Sequence, residues 1–473
     1  MAELDAGALE AVRFGGEIVT PGDPGYDQHR MLYNAMFDRR PALIARCADA
    51  DDVAHAITFA RDSDLAVSVY GAGHSVPGHS VCDDGVMIDT RSMKRIDIDP
   101  DARTCRAEAG LTWGELDPVT QEHGLAVPGG RVPSTGIAGL ALGGGSGWIE
   151  RKFGYTVDSL LSVEIVTADG QLLTASESEN PQLFWGVRGG GGNFGVVTSF
   201  EFRLHPIGPL VLGGMLMYPA ELAAEVLANF RDVMAGAPDE VGAAVALITA
   251  PPEEFIPEPV RGQPVVGVVL SYAGPVEDGE EALRPLREFG PPAMDMIEPM
   301  PYVALQQLID PNNPAGMRNY MTSEFLSGLP DAAIEIMCRY HGSKPAPFSE
   351  IVALAGGGAV ARAPRDALTF GQRQAPFNVL VHSQWSDPAE DGTNIAWAKE
   401  FRAAMQPFAT GQAYLNFIGE EGEDRVVAAF GTKAYARLQA LKDRYDPGNL
   451  FRLNQNIKPS GPVAAEVAVG VPS

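Results

Sequence analysis

Cysteine is scarce: Cys47, Cys82, Cys105 and Cys338 are the only four in a chain of 473 residues, and none forms a C-x-x-C pair. That count excludes a disulfide scaffold, and that spacing gives no zinc or dithiol centre, so metal chemistry is not expected. Positive charge is also short, with 35 lysines and arginines against 61 aspartates and glutamates and a formal net charge of -26. Such a balance repels phosphate backbones and anionic lipid, so neither nucleic acid nor a membrane surface is an expected partner. A solvated acidic face accounts for the excess, and acidity alone does not reveal a substrate. No run approaches the ~18 unbroken apolar residues of a membrane span. The N-terminal Met1-Ala2-Glu3-Leu4-Asp5 is acidic where a secretory leader would be basic and then apolar, so a cytoplasmic address is expected.

What is present suits a globular protein: 45% of residues are apolar, and 473 residues exceed what one core organises, so two lobes are expected. From Pro41 to about Pro206, short apolar runs alternate with glycine clusters. Ala42 to Ala45, Ala66 to Tyr70, Val86 to Asp89 and Val163 to Val166 read as strands. Asp51-Asp52-Val53 followed by Ile57, Ala60 and Arg61 reads as an amphipathic helix with acids in its first turn. Beyond Pro209 the elements lengthen. A helix is predicted near Glu221 to Met234, strands at Pro264 to Tyr272 and Phe377 to Trp385, and helical stretches at Gly274 to Glu288 and Pro330 to Arg339. These describe an antiparallel sheet backed by helices. A last helix, Asp424 to Tyr445, ends at the breaker Asp446-Pro447-Gly448, and residues after Pro459 read as a flexible end.

Three glycine clusters carry the chemistry. Tyr70-Gly71-Ala72-Gly73-His74-Ser75 follows directly on a predicted strand, so its glycines allow a tight turn whose N–H groups converge on an anion such as a diphosphate. Taken alone, the histidine there also fits an ordinary polar loop residue. The segment Gly129 to Trp148 is too glycine-dense for an ordinary strand or helix. Ordering glycine costs backbone entropy, so main chain lying close to a flat ligand accounts for it better than a set of tight turns. Arg188 to Gly195 contains a formal G-x-G-x-x-G at Gly190, Gly192 and Gly195, but Val196 to Phe202 follows with strand-like alternation. The nicotinamide-dinucleotide fingerprint opens a helix instead, so that cofactor is not expected.

Four segments occur in family order: Gly71 to Ser75; Gly139 to Gly147 with Gly154-Tyr155-Thr156-Val157-Asp158; Leu183-Phe184-Trp185-Gly186-Val187-Arg188; and Tyr445 to Ile457. On them the sequence resembles the berberine-bridge-enzyme-like group of FAD-linked oxidases, within the vanillyl-alcohol-oxidase family. The resemblance implies an α+β fold in two lobes. A PCMH-type FAD-binding domain, residues 1–208 completed by 424–473, would carry an inserted substrate domain, 209–423, with the flavin ring at their junction. It also implies a covalent bond from His74 to the 8α-methyl carbon of the flavin. Many relatives add a second bond through a cysteine in a Gly-x-Cys-Pro segment, where this chain has Val132. A valine forms no thioether, so FAD is expected to be held through His74 only, with a lower reduction potential than in doubly tethered relatives. The other cofactor contacts implied are Gly71, Ala72, Gly73, Ser75, His79, Ser80, Val132, Ser134, Thr135, Gly136, Gly139, Gly144, Gly145, Gly147, Trp148, Gly192, Val197, Asn454 and Asn456. Thr135 falls where the family gates oxygen; its hydroxyl is compatible with O₂ reaching the ring, and equally with a packed core threonine.

Flavin oxidation sends a hydride to N5 while a base takes the O–H or N–H proton, so the substrate lobe should aim a proton acceptor at the ring. In Phe377 to Trp385, a period of two puts Asn378, Leu380, His382 and Gln384 on one face, with His382 a candidate base. Ala413 to Gly419 resembles the family's Tyr-x-Asn-aromatic segment. Read as a strand, it places Tyr414 and Asn416 on one face, Tyr414 to position or deprotonate substrate and Asn416 to orient it. A tyrosine that packs with its hydroxyl satisfied is the alternative. Tyr155 is expected near the ring-binding segment. Val76 stands where many plant relatives have a tyrosine, so plant-type substrates are not expected. The leading expectation is an FAD-dependent oxidase, monomer or homodimer, taking hydride from an alcohol or amine carbon of a small molecule and reoxidised by O₂ with release of H₂O₂. The alternative is an oxygenase of secondary metabolism using a flavin–oxygen adduct. A non-catalytic flavin binder is disfavoured by His74 and the Tyr414 segment together.

Overall fold

The computed structural model describes residues 14–254, 256–364, 369 and 373–461. Most of the expected flexible end, from residue 462 onward, lies outside the described residues.

Strands Leu43–Arg46, Val86–Asp89 and Val67–Tyr70 pair in parallel, with Glu17–Val19 added antiparallel at one edge. The near-continuous apolar runs of these strands follow from burial on both faces. Helix Ala50–Asp62 connects the first to the third of them; Asp49 caps it by accepting the Asp52 N–H at 3.0 Å. Its Val53, Ala56, Ile57 and Ala60 pack against Leu43, Val67 and Val86. At the end of Val67–Tyr70 the chain turns into Gly71 to Ser75, so the histidine loop leaves the carboxyl end of a sheet-edge strand.

A second, antiparallel sheet runs in the order Ile96–Asp99, Thr104–Glu108, Val196–Arg203, Leu160–Val166, Leu172–Ser176. Its core joins Phe200, Trp113 and Leu116 to residues from far along the chain: Ala413, Leu415 and Ile418, Val426 and Ala429, Leu438 and Leu441. The chain therefore re-enters this core by Ala413. The single helix expected over Asp424 to Tyr445 is two, Glu423–Phe430 and Thr432–Tyr445. Gly431 separates them with φ 76, a left-handed conformation that ends a helix.

The third sheet has eight strands, all paired antiparallel, and contains Pro264–Tyr272 and Phe377–Trp385 with the bounds the alternation predicts. Helices Ala223–Met234, Val276–Arg287, Asp331–Gly342 and Asp391–Met405 cover one face, where Phe377, Val379 and Val381 meet Phe230, Met337 and Phe401. Leu380 points the other way, with Ala244, Val269 and Leu354, and there Trp148 and Ile149 of the long glycine segment pack. The face opposite these four helices is thus turned toward the glycine-rich loops, with Tyr302 and Leu305 of the short helix Tyr302–Gln306 packed on part of it.

Candidate active site

Between the glycine loops and that sheet face lies a cavity of about 470 Å³. Among the expected cofactor contacts, Gly71, Ala72, Gly73, His74, Ser75, His79, Ser80, Val132, Thr135, Gly136, Gly139, Trp148, Gly192, Val197 and Asn454 line it, together with Tyr414, Asn416 and His382. Ser134, Gly144, Gly145, Gly147 and Asn456 do not.

The glycines among these five are held by main-chain packing. The carbonyls of Gly144 and Gly145 accept from Val157 and Thr156, at 3.0 and 2.9 Å. A Cβ at Gly145 would stand 2.0 Å from Thr156 Oγ1, and one at Gly147 2.1 Å from the Gly129 carbonyl oxygen. Close packing likewise fills the Cβ positions of Gly129, Gly130, Gly136 and Gly143, so tight turns and close approach of other residues account for most glycines of this segment, and ligand approach for Gly139. Ser134 is exposed beside the lining, its Oγ 2.9 Å from His74 Nε2.

The residues present fit an FAD. Gly139 and Gly192 face the cavity, and a Cβ on either would meet nothing within 4 Å, so a flat ligand can lie on the main chain there. The backbone N–H groups of Ala72, Gly73, His74 and Ser75 donate to no other described residue, which suits an anion. Asn454 gives its Nδ2 to the Phe451 carbonyl at 2.9 Å, yet its Oδ1 is buried without a partner among the described residues. Asn456 Oδ1 is buried in the same condition away from the cavity. Buried polar atoms are rarely left unsatisfied in a working protein, and a ligand rich in donors and acceptors completes such a set.

His74 is fixed from two sides. Its ring stacks on Tyr33 with centroids 4.2 Å apart and planes at 21°, while Ser134 holds Nε2. Burial lowers its pKa to about 4, so the imidazole is neutral at pH 7 and has a lone pair available for a bond to carbon. Val132 and Thr135 lie together on the same wall, joined by the Thr135 N–H and the Val132 carbonyl at 3.0 Å.

Tyr414 and Asn416 do not sit on a strand: Leu415–Phe417 is a 3₁₀ turn, closed by the Phe417 N–H on the Tyr414 carbonyl at 2.9 Å. The turn still brings the pair together. Asn416 Nδ2 donates to Tyr414 Oη at 3.0 Å and to the Leu140 carbonyl at 3.1 Å, and the Gly145 N–H donates to the same Oη at 2.9 Å. Burial outweighs these two hydrogen bonds and pushes the phenol up to about 12. Tyr414 is therefore a hydrogen-bonding phenol at neutral pH, suited to positioning substrate rather than to deprotonating it.

Leu380 and His382 share the cavity face of their strand, as the period of two predicts. Gln384 instead donates to the carbonyls of Asn312 and Phe348, and Asn378 lines a small separate void with Tyr155, so neither these two nor Tyr155 reaches the main cavity. His382 Nε2 lies 2.7 Å from Asn319 Oδ1, an amide oriented by its own Nδ2 on the Met317 carbonyl at 2.7 Å. Nε2 is accordingly the donor, and Nδ1 faces Glu350 Oε1 at 3.5 Å.

Tyr33, Arg131, Asn319 and Glu350 also line the cavity and were not singled out from the sequence. Glu350 had a readable signal: it heads the otherwise apolar strand Glu350–Ala355 in phase with Val352 and Leu354, which face the cavity with it. Tyr33 lies in an irregular stretch without periodicity. Arg131 is already engaged, donating to Ser146 Oγ and the Gly147 carbonyl, both at 3.0 Å, beside Glu150 and over the Trp148 ring.

Residues 41–176 match the family described as FAD binding domain, and residues 413–458 the one described as berberine and berberine like. An FAD-linked oxidoreductase of Dictyostelium discoideum is 30% identical over 453 residues, covering 94% of this chain and 95% of that protein. The (R)-6-hydroxynicotine oxidase of Paenarthrobacter nicotinovorans is 30% identical over 468 residues, covering 94% and 97%. The crystal structure of 6-hydroxy-D-nicotine oxidase from Arthrobacter nicotinovorans superposes with a TM-score of 0.84 at 29% identity, over 94% of this chain and 98% of that one.

Proposed function

The chain belongs to the FAD-linked oxidoreductases of the berberine-bridge-enzyme-like group, and from that membership we propose that it is an oxidase of a small alcohol or amine whose FAD is tethered through His74 alone. The observation that carries this reading is the neutral His74 imidazole, clamped by Ser134 and Tyr33 on the wall of a cavity whose opposite wall is the substrate-side sheet. Val132 on the same wall leaves no second attachment. When bound, the flavin supplies a ring that takes hydride from a substrate carbon and passes the electrons to O₂, released as H₂O₂.

The remaining work falls to the chain's own side chains. Tyr414 presents its phenol to the substrate heteroatom, and Asn416 with the Gly145 N–H fixes where that phenol points. His382 takes the O–H or N–H proton at Nδ1, because Asn319 holds the tautomer that leaves this nitrogen basic. Thr135, next to Val132, keeps a small polar spot in the wall through which O₂ approaches. Four free cysteines fit a reducing, cytoplasmic setting, and the working form is a monomer or homodimer.

The test starts from the purified protein's absorption spectrum before and after acid precipitation, followed by turnover of alcohols and amines under labelled O₂. Yellow colour remaining with the pellet, and peroxide formed without label in the product, is the expected result. Flavin released to the supernatant overturns the tether, a colourless protein that takes up no FAD overturns the oxidase, and label retained in the product points to an oxygenase.

A further inference from the structure

We propose that Glu350 is the recognition group for a cationic substrate, so that the cavity takes amines with an apolar body in preference to alcohols. This rests on the oxidase reading above and narrows it.

Glu350 and His382 are direct cross-strand partners in the antiparallel pair that builds the cavity wall. The Glu350 side chain is 15% exposed, and its opening is into the cavity. Among the described residues no hydrogen bond reaches its carboxylate, and the only basic atom within 4 Å is His382 Nδ1, at 3.5 Å. The two other cations nearby are committed elsewhere. Lys344 donates to the carbonyls of Pro347 and Ser349, at 3.2 and 3.1 Å, and Arg131 is held beside Glu150. The wall around it is largely apolar, with Met215, Val269, Leu308, Met321, Leu354 and Leu380, and its polar members Tyr33, Asn312, Asn313 and Asn319 carry no positive charge. A carboxylate in such a wall is poorly paired, and an unpaired buried charge is costly, so the pocket favours a ligand that brings the missing positive charge.

Amine oxidation also suits this pair chemically. A bound ammonium first gives one N–H proton to His382 Nδ1; that N–H bond breaks and its electron pair returns to nitrogen. As the neighbouring C–H pair leaves as hydride to the flavin, the nitrogen pair forms the C=N bond of an iminium. Positive charge thus sits on substrate before the proton moves, on His382 next to Glu350 while it is held, and on product afterwards. One fixed carboxylate serves all three, whereas an alcohol and its carbonyl product are neutral throughout.

The test is calorimetric titration of anaerobic, reduced holoprotein, in which no probe is turned over. The probes are benzyltrimethylammonium and N-methylbenzylamine as cations, benzyl methyl ether as the neutral isostere and phenylacetate as the anion. Both cations should bind about tenfold or more tighter than the ether, with phenylacetate weakest. Glu350→Gln should bring the cations to within about twofold of an unchanged ether affinity, at unchanged flavin content. Cations that bind no tighter than the ether, or fail to bind, overturn the proposal whether or not the variant folds. So does a Glu350→Gln variant that weakens ether and cation equally. Either result leaves the flavin and its tether standing, and a protein without flavin is excluded before the titration begins.

Discussion

Two side chains and burial decide what His74 can do. Tyr33 covers one ring face, Ser134 occupies Nε2, and burial keeps the imidazole neutral above about pH 4, so a nucleophilic nitrogen is available throughout the physiological range. His74→Ala should therefore give folded protein whose flavin leaves on acid precipitation. Ser134→Ala removes one hydrogen bond, worth about 1 kcal/mol, and should slow the appearance of acid-stable flavin without preventing it. Acid-stable flavin in the His74 variant would contradict the assignment. Tyr414 makes a different prediction. With the phenol near 12, its ionisation should be absent from the rate–pH profile below about pH 10. Tyr414→Phe removes the acceptor of Asn416 Nδ2 and the Gly145 N–H along with the hydrogen bond to substrate, and should lower kcat by about tenfold or more while keeping the profile's shape, since no titrating group is lost. An acidic limb near neutrality, with the rate rising as pH rises, that vanishes in Tyr414→Phe would instead make Tyr414 the base and relieve His382 of that role.

At the scale of elements, the long glycine segment is two things at once. Gly147 is packed against the Gly129 carbonyl, whereas Gly139 lies inside helix Ile137–Leu142 and faces the cavity with nothing to meet a side chain. Gly147→Ala should lower the thermal midpoint of the flavin-free protein, because a Cβ would stand 2.1 Å from that backbone oxygen. Gly139→Ala should preserve or raise that midpoint, since alanine favours a helix by about 1 kcal/mol over glycine, yet reduce flavin loading read from the ratio of flavin to protein absorbance. Loss of stability in Gly139→Ala, or full loading, would remove the ligand-facing role. These two glycines are indistinguishable in a one-dimensional reading, because what separates them is contact with residues far along the chain. The long strands of the third sheet were legible, since burial of one face against helices writes a period of two into Phe377–Trp385. The Tyr414 turn was misread as a strand because three alternating residues also fit one 3₁₀ turn, and Gly431 interrupts a helix by conformation without changing its apolar pattern. Of the site, His74 and most of the glycines facing it were legible through their motifs. Glu350 and Tyr33 join the site only through tertiary packing across sheet and loop.

For the whole molecule, the question is what couples the glycine loops to the sheet that faces them. One such contact is buried and polar: Asp117 on helix Trp113–Gln121 accepts from Gln306 Nε2 on helix Tyr302–Gln306 at 3.0 Å, and the same amide reaches the carbonyl of Gly130 at 3.2 Å. Asp117 Oδ1 and the Tyr302 hydroxyl are buried there without partners among the described residues. Burial pushes the Asp117 carboxyl up to about 7 from 3.8. Below pH 3.8 the acid is protonated in both folded and unfolded chains, and its burial carries no charge. As pH rises toward 7 the unfolded chain ionises freely while the folded one resists, so the stability this group contributes at low pH is lost on the way up. The difference amounts to at most about 4 kcal/mol once pH exceeds 7, less where the site relaxes. Asp117→Asn keeps the shape and an acceptor for Gln306 but cannot ionise. Its thermal midpoint minus that of the wild type should therefore grow from pH 5 to about pH 7 and level off by pH 8, measured on flavin-free protein to exclude changes in loading. A constant difference across that range would mean that Asp117 is ionised or solvated in the folded state, and that the contact between the two halves is indifferent to pH.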